Sequence, residues 1–339
     1  MPTSFEGLDY ERHLFKSVVN NESDGCFADV YFPKVSNPSQ EPHPIALYYH
    51  GGGFTLGDSM HIFIGQFRYL LDRGFCVVSV EYRLAPHYRF RHQREDWVDG
   101  YRWTIEKLPK LVQARVDTSR IFVFGGSAGG TASLFLGLDA VKAALPPPRA
   151  ILAVYPALDF DKPGLLPTKH YDYDKIDELI NSLSLERQDA LRELIRGPSS
   201  TSFDFKASLS GNANSPRWLW YQLAQEYSFL VSCYLEEPGA PFSRSNFFID
   251  LVGPQYPPTV LIKALDDTLL DATQTSDAYE RLKQLNVDVK LIEAHDMKHG
   301  DAEGENDMKE HPAREAGFWD GVFDVALDWC IERTASRCT

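Results

Sequence analysis

The sequence predicts an α/β fold in which a mostly parallel central sheet is flanked by helices. Short apolar runs with little polar alternation, typical of strands buried on both faces, alternate with segments of helical periodicity. Two of these runs end directly in glycine-rich loops, as strands do where a parallel sheet gives way to its crossover helices. The predicted strands are 45–49, 75–80, 121–124, 150–155, 259–264 and 287–292.

Helical segments lie between these runs. The predicted helices include 97–108, 131–138 and 279–285. Near the end of the chain, apolar residues recur at spacings of three and four from Trp319 to Ile331, which predicts a closing amphipathic helix. We expect one α/β domain over residues 1–339.

The region from Phe160 to Arg244 interrupts this alternation and is rich in polar and aromatic residues. The spacing of Ile176, Leu179 and Ile180 predicts an amphipathic helix within it. We interpret residues 160–244 as a helical cap, or lid, inserted between two sheet strands. A second autonomous domain is the alternative.

Composition narrows the function classes. Of the 339 residues, 43% are hydrophobic, which excludes a disordered chain. The 48 acidic and 34 basic side chains give a net charge of −14, which disfavours a dedicated nucleic-acid binder. The five cysteines form no CxxC pair, which indicates reduced thiols in a cytoplasmic protein. No apolar run predicts a secretory signal or a membrane span. No metal, nucleotide or flavin motif is present, so no cofactor is expected, and the oligomeric state stays open.

Residues 125–130, Gly-Gly-Ser-Ala-Gly-Gly, place a G-x-S-x-G pattern between a predicted strand and a predicted helix. A serine on so tight a turn needs glycine neighbours, because side chains there would clash. The turn would lift the Ser127 hydroxyl off the sheet as a nucleophile. Alone, the pattern also suits an ordinary structural turn.

A second glycine loop strengthens the catalytic interpretation. Residues 50–53, His-Gly-Gly-Gly, directly follow the first predicted strand. Backbone N–H groups of such a loop can stabilise a developing oxyanion, together with the N–H of Ala128 after the serine. Two further loops follow predicted strands and supply an acid and a base: Asp266 and Asp267 in one, His299 in the other. The order Ser, Asp, His is that of a hydrolase triad on this kind of sheet.

With these motifs, the chain resembles the hormone-sensitive-lipase-like branch of the α/β hydrolases, the esterases with an HGGG loop. Residues 82–86 (Tyr-Arg-Leu-Ala-Pro), 257–259 (Pro-Pro-Thr) and 299–300 (His-Gly) also match motifs of that family. The resemblance runs from about Asp29 to the C-terminus, apart from the insertion.

The resemblance implies a role for each matching residue. It implies that Ser127 is the nucleophile, His299 the general base and then acid, and Asp267 the triad acid, with Asp266 as its competitor. The implied oxyanion-hole donors are Gly52, Gly53 and Ala128. His50 is expected to order the glycine loop, and Glu81 and Asp271 to be structural. The pair His295 and His299 is not expected to bind a metal, because no third ligand is apparent.

The sequence departs from the family pattern at several places. Gly126 stands where an acidic residue is usual, and Asp301 stands where an aromatic residue is usual. Two extra residues lie between Asp271 and the helix that follows it. The N-terminal stretch before Asp29 is short, so the cap is expected to come from residues 160–244.

The leading functional hypothesis is therefore a serine esterase that cleaves a carboxylic ester, or a thioester, with an apolar or aromatic group. Two alternatives remain. One is a non-hydrolytic cyclase or lyase acting on a natural product on the same scaffold, and the other is a ligand receptor without turnover. Retention of His299 disfavours the receptor.

Overall fold

The computed structural model describes residues 3–5, 7–34, 41–159, 176–203, 215–226, 247–303 and 320–335. Within them, the strands are β1 (Thr3–Phe5), β2 (Leu8–Ser17), β3 (Gly25–Tyr31), β4 (His43–Tyr49), β5 (Cys76–Val80), β6 (Val116–Gly126), β7 (Ala150–Val154), β8 (Thr259–Ala264) and β9 (Val289–Ala294). The helices are α1 (Ile64–Asp72), α2 (Phe90–Glu106), α3 (Leu108–Leu111), α4 (Ala128–Lys142), α5 (Ile176–Ser182), α6 (Leu185–Arg196), α7 (Pro216–Glu226), α8 (Phe248–Leu251), α9 (Thr273–Gln284) and α10 (Phe323–Ala335).

The strands form one twisted sheet in the order β1-β2-β3-β5-β4-β6-β7-β8-β9. Strands β5, β4, β6, β7, β8 and β9 run parallel to one another, whereas β1, β2 and β3 add to the β5 edge in antiparallel fashion. The predicted α/β fold with a mostly parallel sheet is confirmed. All six predicted strands are present. The strand 259–264 matches at both ends, and the others have one or both ends shifted: the last begins at Val289 rather than at residue 287.

Two cores cover the two faces of the sheet, because successive strand residues point to opposite sides. On β4, Leu47 and Tyr49 pack in one core with residues of α2, α4 and α9, while Tyr48 packs in the other with residues of α1 and α10. Strands buried on both sides read as unbroken apolar runs, which is why the sequence predicted them.

The three N-terminal strands were not predicted. Strand β2 has one exposed or half-exposed face and mixes charged with apolar residues, so it lacks the unbroken apolar pattern of the central strands. An ionic cluster with buried acids attaches it to the sheet. Arg12 donates to both carboxylate oxygens of Asp29 on β3 at 2.9 and 2.8 Å, and to Glu81 at 2.5 Å. Ser59 donates to Asp29 at 2.5 Å.

Burial raises the pKa of both acids of this cluster. Desolvation raises the pKa of Glu81 to about 7 against the opposing effect of Arg12, and it raises the pKa of Asp29 as well. Glu81 also accepts a hydrogen bond from the backbone N–H of Phe27. The cluster is structural, in agreement with the interpretation of Glu81 from the sequence.

The described part of the insertion between β7 and β8 is helical, with α5, α6, α7 and α8. A Ser/Thr-rich segment after α6 joins it to the N-terminal strands and to the loop after β4. Ser199 N–H donates to the carbonyl of Asn20, Thr201 Oγ1 donates to the carbonyl of Gly25 at 2.6 Å, and Gly57 exchanges two backbone hydrogen bonds with Phe203. These bonds fix residues 199–203 against the α/β core.

Two predictions, on the closing helix and on the cysteines, fall partly outside the described residues. The closing helix begins at Phe323, and Trp319 is not among the described residues. Of the cysteines, Cys26, Cys76 and Cys330 are buried free thiols, whereas Cys233 and Cys338 lie outside the description.

In the ranges given above, no helix is both long enough and apolar enough to cross a membrane.

Candidate active site

The carboxyl ends of five neighbouring parallel strands, β4, β6, β7, β8 and β9, meet at one edge of the sheet. The loops after β4, β6, β8 and β9 carry the residues that the sequence singled out. Crevices outside the carboxyl ends of parallel strands are the usual binding sites of open α/β sheets. The topology therefore brings together residues that are far apart in the chain.

Ser127 lies on a sharp turn between β6 and α4. Its backbone has φ 54° and ψ −121°, a region that a non-glycine residue rarely adopts. The neighbouring glycines are sterically required. A Cβ atom on Gly125 or on Gly129 would lie 2.4 or 2.0 Å from the carbonyl oxygen of Tyr49. The close approach of this turn to the end of β4 explains the G-x-S-x-G spacing.

His299 connects the serine to a carboxylate. Its Nε2 lies 2.9 Å from Ser127 Oγ, and its Nδ1 lies 2.8 Å from Asp267 Oδ2. The other oxygen of Asp267 accepts the backbone N–H groups of Leu269 and Leu270 at 2.9 and 2.8 Å. The carboxylate is thus fixed on one side by backbone donors and on the other by the imidazole.

The two aspartates that competed in the sequence are separated by the structure. The Asp267 side chain is 1% exposed and contacts His299. Asp266 is exposed, and its backbone N–H bonds to the carbonyl of Met297. Asp271 accepts the N–H of Thr273 at the start of α9, a structural role.

The glycine loop after β4 lies beside the serine turn. Gly52 and Gly53 both have positive φ, of 98° and 57°, and a Cβ on Gly129 would lie 2.9 Å from the carbonyl carbon of His50. Ala128 is the first residue of α4. The loop that carries Gly52 and Gly53 therefore begins against the turn that carries Ser127 and Ala128.

His50 is buried at the start of this loop. Its Nδ1 donates to the carbonyl of Gly51 at 2.8 Å, and its ring stacks on Tyr82 with ring centroids 4.2 Å apart. The Tyr82 hydroxyl donates in turn to the carbonyl of His50 at 3.0 Å. Burial lowers the pKa of His50 to about 3, so the ring is neutral at physiological pH. These contacts suit a residue that orders the loop.

Tyr221 of α7 packs on the glycine loop. A Cβ on Gly53 would lie 2.5 Å from Cε2 of the Tyr221 ring, and the Trp218 ring lies 5.6 Å from that ring, centroid to centroid. The sequence showed an aromatic cluster here but not what it covers. The local sequence pattern around Tyr221 cannot predict a contact with Gly53, which lies 168 residues earlier in the chain.

Two further residues contact the loop that carries His299. The ring of Tyr155, directly after β7, lies 4.7 Å from the imidazole, and Asp301 accepts the backbone N–H of Lys298. Sequence analysis flagged Asp301 only as a departure from the family pattern. Tyr155 directly follows a central strand, and this position could have predicted that it lies at the same edge of the sheet as His299.

Within the described ranges, no three His, Cys, Asp or Glu side chains come together as ligands for a metal ion. His295 is exposed, whereas the His299 ring faces Ser127 and Asp267. The two histidines, although four residues apart, therefore lie in different environments, and only the His299 ring contacts Ser127 and Asp267.

Comparison with known proteins identifies the fold. The profile of a family described as having the alpha/beta hydrolase fold matches residues 46–209. This chain has the α/β hydrolase fold. The match ends before Asp267 and His299, so those two residues are assigned from the geometry alone.

Solved structures share the fold of this α/β hydrolase over nearly its whole length. An esterase of Pyrobaculum calidifontis superposes with a TM-score of 0.61 at 20% identity, covering 96% of this chain and 84% of that one. Carboxyl esterase 2 of Tuber melanosporum superposes with a TM-score of 0.61 at 19% identity, covering 98% and 88%. At these identities the likeness establishes the fold.

Curated relatives are much longer proteins. A methylphloroacetophenone synthase of Cladonia uncialis is 36% identical over 164 residues, which is 47% of this chain and 6% of the relative. A non-reducing polyketide synthase of Penicillium brevicompactum is 26% identical over 315 residues, which is 84% of this chain and 14% of the relative. The hydrolase thus resembles only a small part of each synthase.

Proposed function

We propose that this α/β hydrolase cleaves a carboxylic ester or thioester through an acyl-enzyme on Ser127. The observation that carries the proposal is the continuous hydrogen-bonded path from Ser127 Oγ through both nitrogens of His299 to Asp267, with distances of 2.9 and 2.8 Å. A serine hydroxyl is a weak nucleophile until a base can take its proton, and this path supplies the base and its carboxylate partner.

The reaction follows from these positions. Ser127 Oγ attacks the substrate carbonyl while its proton passes to His299 Nε2, and Asp267 stabilises the imidazolium that forms. The N–H groups of Gly52, Gly53 and Ala128 stabilise the tetrahedral oxyanion. His299 then protonates the leaving alcohol or thiol, activates water, and the water releases the acid from Ser127.

The substrate class is argued from the insertion, which we propose to be the cap of the site over residues 160–244. Its helix α7 places Tyr221 against the oxyanion loop and Trp218 beside it, so an apolar or aromatic acyl group suits the space under it. Polyketide chains are assembled as thioesters, and the relative from Penicillium brevicompactum is a non-reducing polyketide synthase. We therefore favour an aromatic acyl thioester as the substrate. The free thiols suit a cytoplasmic location.

The test uses an aromatic acyl thioester of a short alkyl thiol in water enriched in heavy oxygen, with Ser127→Ala as the control. Hydrolysis predicts thiol release and one heavy oxygen in the product acid, at a rate that Ser127→Ala abolishes. Thiol release without incorporation of heavy oxygen would instead establish the cyclase or lyase alternative. Tight binding without thiol release would establish the receptor.

A further inference from the structure

We infer that Tyr155 and Asp301 are positioning residues for His299, holding the loop 298–302 at points before and after His299 in the chain. The inference rests on the proposed function, since it concerns the base of that reaction. Neither residue belongs to the proposed triad or oxyanion hole. Their contacts with the loop that carries His299 indicate a positioning role instead.

Tyr155 contacts the loop at two points. Its ring packs against the imidazole at a centroid distance of 4.7 Å and an interplanar angle of 46°. Its hydroxyl accepts the backbone N–H of Ala302 at 3.2 Å, in a fully buried position. A buried N–H needs an acceptor, so the hydroxyl fixes the backbone three residues after His299 while the ring limits how far the imidazole can tilt.

Tyr155 is itself held rigidly. It is 2% exposed, its backbone N–H donates to the carbonyl of Ile262 on β8 at 2.8 Å, and its φ of 34° is unusual for a residue with a side chain. Such conformations persist only where the surrounding structure enforces them, and they cluster at functional sites. Tyr155 therefore ties the His299 loop to the central sheet.

Asp301 acts on the chain just before the histidine. Its carboxylate accepts the backbone N–H of Lys298 at 2.7 Å, and the residue is only 5% exposed. This bond closes the turn that contains His299.

The reason for two attachments is geometric. His299 must keep Nε2 and Nδ1 within hydrogen-bond distance of Ser127 and Asp267 at the same time. A shift of about 1 Å in a catalytic group can lower a rate by about 10²-fold. Attachments on either side of one residue restrict such a shift more than either attachment alone.

The test compares kcat and KM on one p-nitrophenyl ester for Asp301→Ala, Asp301→Asn, Tyr155→Ala and Tyr155→Phe, per folded molecule as measured by circular dichroism. We expect Asp301→Ala and Tyr155→Ala to lower kcat by roughly 10- to 100-fold, with KM changed less than about threefold. Asp301→Asn keeps an acceptor oxygen and should recover most of kcat. Tyr155→Phe keeps the ring and should lose less than Tyr155→Ala.

Matched controls lie at the opposite end of the sheet. Tyr101→Phe removes a hydroxyl that donates to the carbonyl of Pro146, and Asp117→Ala removes an acceptor for the N–H of Ser119. Both should leave kcat within about twofold. Ser127→Ala in the same assay separates the two proposals: an active Ser127→Ala variant overturns the proposed function. An inactive one, with kcat of Asp301→Ala and Tyr155→Ala within about twofold of wild type, overturns only this inference. If Tyr155→Ala does not fold, the Asp301 pair decides.

Discussion

The Nδ1 atom of His299 lies 2.8 Å from Oδ2 of Asp267, whereas Asp266, the next residue toward the N-terminus, is exposed to solvent. One peptide unit thus separates a buried partner of the imidazole from a solvated carboxylate. The difference arises because the backbone N–H groups of Leu269 and Leu270 turn the Asp267 side chain inward.

This relationship predicts unequal effects of two neighbouring substitutions. Asp267→Asn should lower kcat by about 10²- to 10⁴-fold, because an amide no longer stabilises the imidazolium and can favour the wrong tautomer of His299. Asp266→Asn should stay within about twofold of wild type. Steady-state rates on a p-nitrophenyl ester measure both. Equal losses in the two variants would refute the assignment of the acid.

Gly52→Ala should lower kcat by on the order of 10²-fold or more, because it distorts the oxyanion loop. A Cβ there would lie 2.3 Å from the carbonyl oxygen of Leu56, and φ is +98°. Gly253→Ala is the matched control, since a Cβ at Gly253 meets no atom within 4 Å. Wild-type kcat in Gly52→Ala would show that the loop does not need this conformation.

The contact between Tyr221 and Gly53 predicts coupling between the proposed cap and the oxyanion loop. Gly53→Ala places a Cβ 2.5 Å from the Tyr221 ring, so it should lower kcat more in wild type than in the Tyr221→Ala background. A double-mutant cycle on kcat measures the coupling. Additive effects would mean that the ring and the loop move independently in solution.

The pH dependence of stability should depend on Glu81. Its pKa is raised to about 7 in the folded state, so the folded protein holds this proton more tightly than the unfolded chain. Its contribution is fully present below about pH 4.5 and is lost as pH rises towards 7. Over that range, wild type should lose about 1 to 3 kcal/mol of unfolding free energy relative to Glu81→Gln.

Urea unfolding of both proteins at several pH values tests this. The lowered pKa of His50 acts in the opposite direction, removing stability as pH falls below 6.5, but it is common to both proteins and cancels in the difference. A difference between the two proteins that does not change with pH would contradict the burial argument for Glu81.

Sequence reasoning reached the central strands and the loops that follow them for physical reasons. The strands are covered on both faces and read as apolar runs, and the residues proposed as the triad lie in the loops after them. It missed β2, because charged and apolar residues mix along that strand. It also missed β3, where Asp29, which binds Arg12, interrupts a short, mostly buried apolar run.

The contacts around the triad were out of reach for a different reason. Tyr155 meets His299 across 144 residues, and Tyr221 meets Gly53 across 168, so no local pattern records either contact. The structure also gives Asp301 a function that its departure from the family pattern did not suggest.

The most direct test of the central claim is release of p-nitrophenol from a series of p-nitrophenyl esters by wild type, Ser127→Ala and His299→Ala. The hydrogen-bonded triad predicts turnover by wild type and a loss on the order of 10³-fold or more in each variant, with folding unchanged by circular dichroism. A wild-type rate no higher than that of either variant on every ester would contradict catalysis through Ser127.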